Sequence, residues 1–250
     1  MGESFGRYKL GMDEDVIPYI TSANVACGFH AGDPHVMNKT VMLAKKYGVS
    51  VGAHPGYPDL LGFGRRKMDV SPEEIKDYIV YQVGALKAFC EVHGVKLQHI
   101  KPHGALYNAA GKDPVLARAI AEAVYEVDKE LIFLVLAGSE MEKAGKEVGL
   151  KTAREVFGDR NYREDGSLVP RSHPKAVLKD DDEVARRVVR MVTEGKVLTI
   201  EGKDIDVEVD SICVHGDTLG AINFIKRIRK DLQEKGVEIA SLDKIFGKHA

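Results

Sequence analysis

Short apolar runs that stop on a polar residue and break on glycine alternate along this chain with segments of helical periodicity. Asp33 followed by Pro34 supplies an N-cap and a proline at the first helical position, which predicts a helix to about Tyr47 that stops at Gly48. Ser71, Pro72, Glu73 and Glu74 read as a capping box, and Ile75, Ile79, Val83, Leu86 and Phe89 then recur at helical spacing until Gly94. Asp113 and Pro114 open a further helix to about Val127. Glu140–Val148 and Asp180–Thr193 read as two more, the second stopped by Gly195, and a last helix runs to about Lys235. Between these helices the pattern predicts six strands, Ser22–His30, Val49–His54, Leu97–His103, Leu131–Ala137, Lys151–Phe157 and Ser211–His215. Val197–Ile200 and Ile205–Val209 read as a hairpin. Strands separated by helices imply parallel crossovers and an α/β fold.

Residues two apart on a strand share a face. Asn24, Ala26, Gly28 and His30 fall on one face, opposite Val25, Cys27 and Phe29. His99, Lys101 and His103 fall together, as do Ser211, Cys213 and His215. A small or polar face backed by an apolar one suits a barrel whose strands point inward to a site and outward to helices, whereas an open doubly wound sheet would bury both faces in apolar contacts.

The 250 residues are 44% hydrophobic and 30% charged, which fits one domain over residues 1–250. A formal net charge of −2 with interleaved signs leaves no footprint for nucleic acid or an anionic membrane, so small molecules are the expected partners. No apolar stretch approaches the roughly 20 residues that span a bilayer, and the start of the chain lacks the apolar core of a signal peptide. Cys27, Cys90 and Cys213 are isolated, without CxxC spacing, and read as core thiols of a reducing cytoplasm.

Four apolar runs end in histidine just before glycine, at His30, His54, His103 and His215, and this is how parallel α/β folds present chemistry at the carboxyl edge of a sheet. Lys101 sits on the same face as His99 and His103, a proximity expected to lower the lysine pKa, the histidine pKa, or both. His99, deeper along its strand, suits a hydrogen-bonded core residue equally well. Asp33 reads as a helix cap that could also serve the site, and Asp217 either pairs with His215 or caps the next helix. Glu155, Asp159 and Arg160 cluster at another strand end, and Arg65 and Arg66, flanked by Gly62 and Gly64, form a candidate anion grip that solvated arginines would equally explain. Two long loops, Pro55–Val70 and Gly158–Ala176, exceed what topology needs. The chain has no P-loop, no complete dinucleotide fingerprint, no GxSxG elbow and no HExxH, so histidines and carboxylates at a barrel mouth point to acid–base hydrolysis, with divalent-metal assistance left open.

The segments GESFG (Gly2–Gly6), SANVACGFHAGDP (Ser22–Pro34), VGAHPGYPD (Val51–Asp59), GFGRR (Gly62–Arg66), KPHGALYN (Lys101–Asn108), EVFGDRNY (Glu155–Tyr162), LVPR (Leu168–Arg171) and CVHGD (Cys213–Asp217) resemble the LamB/YcsF family, in order and over nearly the whole chain. The resemblance implies a seven-stranded, TIM-like (β/α) barrel related to glycoside hydrolases and deacetylases. It also implies the role of the A subunit in an ATP-dependent 5-oxoprolinase, which opens the lactam of 5-oxo-L-proline to L-glutamate together with separate B and C subunits, with ATP and Mg²⁺ as cofactors. On that footing His54, Lys101, His103, Glu155 and His215 are the expected catalytic residues, and Asn24, His30, Asp33, Arg65, Arg66, Asp159, Arg160 and Asp217 the expected substrate- or nucleotide-binding ones. His54, His103 or His215 would act as base toward water or acid toward the leaving nitrogen. Glu155 and Asp159 would orient a histidine or hold the nucleotide's Mg²⁺. A tightly bound divalent metal stays open.

Family members carry an Asp-Leu-Asn-x-Asp strand just before GESFG, and here Met1 stands directly against Gly2. The expectation is a barrel lacking its first strand, with exposed sheet edges, lower stability and impaired catalysis. Lys175 stands where the family pattern has glycine. Two other readings remain: a stand-alone metal-dependent amidohydrolase or deacetylase of the same barrel superfamily, and a non-catalytic ligand-binding subunit.

Overall fold

Cap chemistry sets four of the helix starts, as a computed structural model of the chain shows over its described residues, 1–214 and 221–247. After a short α1 (Asp13–Val16), α2 (Pro34–Tyr47) begins where the Asp33 side chain accepts from the amides of His35 and Val36, and it ends on Gly48 in the left-handed region at φ 66°. The capping box is present at the start of α3 (Pro72–Val92). A short helix, α4 (Gly104–Ala110), precedes α5 (Pro114–Val127), which Asp113 caps through Val115 and Leu116. Then come α6 (Glu140–Val148), α7 (Asp181–Glu194), α8 (Ala221–Glu234) and α9 (Leu242–Gly247).

The strands are β1 (Ser22–Ala26), β2 (Ser50–His54), β3 (Leu97–Ile100), β4 (Ile132–Leu136), β5 (Thr152–Phe157), the hairpin pair β6 (Lys196–Leu198) and β7 (Asp204–Asp206), and β8 (Ser211–Cys213). All but the hairpin form one curled, parallel half-barrel of six strands in the order β1-β2-β3-β4-β5-β8. Six strands and two open sheet edges, β1 and β8, agree with the expectation of a barrel lacking one strand, while the described residues form no seventh strand in this sheet. Met1 lies in parallel-ladder position beside β1: its amino group donates to Asn24 O (2.7 Å) and the Ala26 amide donates to Met1 O (3.0 Å).

The longest departure from the predicted strands is at Ser22–His30. β1 stops at Ala26, and the chain turns instead, with the Gly28 amide bonded to Ala31 O (2.9 Å) and Gly28 and Gly32 at φ 92° and 79°. His30 is therefore placed by a turn and not by strand alternation. β3 likewise ends at Ile100, but the Lys101 and His103 amides continue bonding to Ala53 O (2.9 Å) and Pro55 O (2.8 Å), so these two side chains keep the inward face. Lys175 takes no left-handed conformation, since Phe63 at φ 53° is the residue other than glycine that does so among the described ones.

Register carries the inner face across the sheet. Asn24 pairs with Gly52, Gly52 with His99, and His99 with Ile132; Leu136 pairs with Glu155, and Glu155 with Ser211. The inner face is thus polar towards the carboxyl ends of the strands but apolar on β4 and β5, where Ile132, Leu134 and Ala153 pack against Leu242 of α9. That apolar floor departs from the uniformly small or polar face expected. The outward residues Val25, Val51, Ala53, Ile100, Phe133 and Val156 join α2, α3 and α5 in the main core, while Val184, Val188, Phe224 and Ile228 form a second cluster between α7 and α8.

Candidate active site

A cavity of about 850 Å³ opens between the carboxyl ends of the strands and the gap from β1 to β8. Of the residues singled out in the sequence, Asn24, His54, Arg65, Lys101, His103, Glu155 and Arg160 line it. The others sit elsewhere: His30 lies fully buried behind His103, and the Asp33 carboxylate is committed to its helix cap and to the Gly6 amide (2.8 Å). Arg66 turns away to pair with Asp59, while its neighbour Arg65 packs its guanidinium 4.9 Å from the Phe63 ring and reaches the cavity. Asp159 is buried without lining the cavity. His215 and Asp217 lie outside the described residues.

At the centre is a buried ion pair. Lys101 Nζ stands 2.6 Å from Glu155 Oε2, with both side chains at most 5% exposed. The same carboxylate oxygen accepts from Tyr107 Oη (3.2 Å), and Lys101 Nζ also donates to Cys213 Sγ (3.2 Å). The Phe157 ring lies 4.8 Å from the ammonium. Burial works against the lysine charge, but the Glu155 carboxylate, with the Cys213 sulfur accepting a hydrogen bond, outweighs it and holds Lys101 above its ordinary pKa. Of the outcomes expected from this proximity, the histidine pKa values fall and the lysine's does not, because Glu155 arrives from β5. Cys213 is pushed up to about 12, chiefly by burial and then by Glu155, so it is a neutral thiol. It is only partly buried and faces the cavity, whereas Cys27 and Cys90 are core thiols as expected.

Three imidazoles form the adjoining wall. His30 stacks on His103 with ring centres 3.7 Å apart and planes 4° from parallel, and His54 meets both edge-on at 5.6 and 4.8 Å. Burial is the leading cause that lowers all three pKa values, followed by mutual repulsion for His30 and His54; His103 is brought to about 3. His99 takes the core alternative: its Nε2 bonds to Asn24 Oδ1 (2.9 Å) and its Nδ1 to Gln98 Oε1 (3.1 Å), and burial takes its pKa to about 3. On the rim, Arg160 donates to Val169 O (2.6 Å) and Ala176 O (3.3 Å), with burial lowering its pKa to about 10, and Arg171 and Lys67 complete a cationic border.

Two positioning residues escape the motif reading. Gln82, fully buried on the core face of α3, accepts from the Gly56 amide (2.9 Å) and donates to Gly56 O (3.0 Å) and Tyr78 O (2.9 Å), so it clamps the start of the loop 55–70. The signal was a lone amide among Ile75, Ile79, Val83 and Leu86. Tyr107 has no such signal, because it stands on an ordinary helical face of α4. The loop itself passes against the imidazoles at Gly64, whose φ of 63° and whose approach to His30 and His103 leave no room for a Cβ.

Among the described residues no three His, Cys, Asp or Glu side chains converge as metal ligands, and Glu155 is already committed to Lys101 and Tyr107. The described residues therefore supply no cage of their own for Mg²⁺.

Comparison with known proteins gives one consistent result. The LamB/YcsF family profile matches residues 1–247. The 5-oxoprolinase A subunit of Clostridium beijerinckii is 60% identical over 246 residues, covering 98% of this chain and 96% of that protein. That of Pyrococcus horikoshii is 57% identical, with 97% and 95% covered. The crystal structure of the lactam utilization protein from Thermus thermophilus superposes with a TM-score of 0.90 at 45% identity, covering 96% of each chain.

Proposed function

Because the chain belongs to the LamB/YcsF family, we propose that it is the A subunit of an ATP-dependent 5-oxoprolinase, opening the lactam of 5-oxo-L-proline to L-glutamate with partner subunits B and C. The observation that carries this reading is the buried Lys101–Glu155 pair at the base of a cavity with a cationic rim. A five-membered lactam is a poor electrophile, and ATP would supply the driving force by phosphorylating its oxygen. Attack of water on the imidate carbon gives a tetrahedral adduct, and protonation of its ring nitrogen lets the C–N bond break to leave an acyl phosphate. A second water then releases L-glutamate and inorganic phosphate. Lys101, held protonated by Glu155, is placed to orient the lactam oxygen and to neutralise the phosphoryl charge as it is transferred there, in a site dry enough for that charge to count.

Arg65, Arg160 and Arg171 on the rim would meet the substrate carboxylate or nucleotide phosphates. Mg²⁺ would be held by the nucleotide's own phosphates, since the described residues offer it no cage. All four ring nitrogens of His54 and His103 are hydrogen bonded within the protein, which removes them from direct proton transfer in this arrangement. His215 keeps its candidacy for the acid or base step, and Asp217 its expected binding role. No helix among the described residues is long and apolar enough to cross a membrane, and we place the enzyme in the cytoplasm.

The finer fold reading is that this sheet is part of a seven-stranded TIM-like barrel. It is supported by the ladder position of Met1 and by the cavity that runs from β1 to β8 between Ile20, Ile212 and Ile228.

The function itself is tested by assaying 5-oxoproline conversion with the chain alone and with B and C subunits, with and without ATP. Conversion only with all components supports the proposal. ATP-independent hydrolysis by the chain alone, with stoichiometric metal, would make it a stand-alone amidohydrolase; turnover indifferent to substitutions at Lys101 and Glu155 would make it a binding subunit.

A further inference from the structure

The hydrogen bonds of His54 and His103 do not balance with two neutral rings. His54 Nδ1 lies 2.7 Å from the carbonyl oxygen of Lys101, and His103 Nε2 lies 2.8 Å from that of Phe63. A carbonyl oxygen only accepts, so each of these nitrogens must carry a proton. The remaining nitrogens, His54 Nε2 and His103 Nδ1, face each other at 3.0 Å. Two neutral imidazoles have two protons, both already placed at the carbonyls, and would confront two lone pairs across a hydrogen-bonding distance. A third proton on that line satisfies all three contacts.

Phe63 is built to impose this count. It is the residue other than glycine that adopts positive φ among the described ones, at 53°, a conformation a bulky side chain takes only when its surroundings hold it there. Its ring stands edge-on to His103 at 5.2 Å and to His30 at 5.6 Å, and the neighbouring Gly64 carbonyl accepts from Ala105 (2.9 Å). The strained turn thus aims a carbonyl at His103 Nε2 and pins it.

The charges facing the pair oppose the third proton. They are the Lys101 ammonium from β3, Arg65 from the loop, and the amino terminus at Met1. His30 from the turn after β1 is a neutral stacked ring, and the Cys27 thiol beside His54 is held protonated, its pKa raised to about 12. Glu155, a carboxylate lining the same cavity, is spent on Lys101. Geometry therefore calls for a cation that burial, first, and then the positive charges around the cavity resist, and an anion in the cavity offsets those charges.

Resting on the proposed activity for the identity of the anion, we propose that His54 and His103 form a shared-proton pair whose protonation is coupled to anionic substrate, so that 5-oxoproline binds with uptake of one proton. The pair titrates as a unit with a pKa lower in the free protein than in the complex. Between those two values affinity falls by up to about tenfold per pH unit as pH rises; below the lower one it is flat. His54 and His103 act here as charge-supplying residues of the wall, and Phe63 as the residue that positions them.

The test has two parts. Nitrogen NMR of histidine-labelled free protein across pH should show His54 protonated at Nδ1 throughout and one coupled step in which the third proton leaves both rings' signals together. Independent titrations, or a His54 ring protonated at Nε2 alone, would overturn the proposal whether or not the enzyme assignment holds. Calorimetry of 5-oxoproline binding, in two buffers of different ionisation enthalpy, should then give uptake of about one proton for the wild type and none for His54→Ala. Binding without uptake at every pH, or uptake unchanged in His54→Ala, would also overturn it. If 5-oxoproline fails to bind while the free protein shows the coupled step, the shared proton stands and the substrate assignment falls.

Discussion

Lys101→Met lowers 5-oxoproline turnover of the reconstituted complex by roughly 10²–10³-fold, the usual consequence of removing one preorganised donor from charge stabilised in the transition state. The expectation follows from where the ammonium is held. Its Nζ is fixed on Glu155 and Cys213 and flanked by Phe157, so it meets substrate without reorganising. The substitution also strands Glu155, which is 1% exposed and keeps Tyr107 as its hydrogen-bonding side chain among the described residues, and breaking such a pair costs about 3–5 kcal/mol. Stability and catalysis are separated by the double variant Lys101→Met/Glu155→Leu. Replacing both charges with apolar groups recovers much of the Tm lost in the single variant, while turnover stays low. Recovery of turnover along with Tm would show that the pair acts only through folding.

Gly52→Ala lowers stability by about 3 kcal/mol or more, a Tm drop on the order of 10 °C for a domain of this size. A Cβ built on Gly52 falls inside the imidazole of His99. That ring cannot step aside, because its two nitrogens are tied to Asn24 and Gln98 on either flank and it has no exposed surface. The contrast is Gly84, which stands in α3 with open space around its Cβ position. Gly84→Ala should stabilise by up to about 1 kcal/mol through helix propensity. Equal and small effects of the two substitutions by thermal denaturation would contradict the packing described for β2 and β3.

The contrast between these two glycines shows what the sequence makes legible. The caps at Asp33, Ser71, Asp113 and Asp180 are local chemistry, readable in four residues, and the helices start where they say. Period-two alternation brought Lys101 and His103 to one face because the β2 ladder continues past Ile100. The same rule placed His30 for the wrong reason, since a glycine turn replaces the strand after Ala26. Arg65 and Arg66 look alike as neighbours in a loop without periodicity, and only Asp59 tells them apart. Cys213 and Tyr107 join the site through the long-range meeting of β8, α4 and β5, which no local pattern encodes. Gln82 was legible as a polar residue in an apolar stripe, once the stripe was taken as buried.

The central claim is that the lactam is held at Lys101. A crystal structure of this protein with 5-oxoproline bound is the most direct measurement. The account predicts the lactam oxygen within hydrogen-bonding distance of Lys101 Nζ and the carboxylate turned toward Arg65 or Arg160. Substrate bound at any place that leaves Lys101 and Glu155 untouched would contradict it.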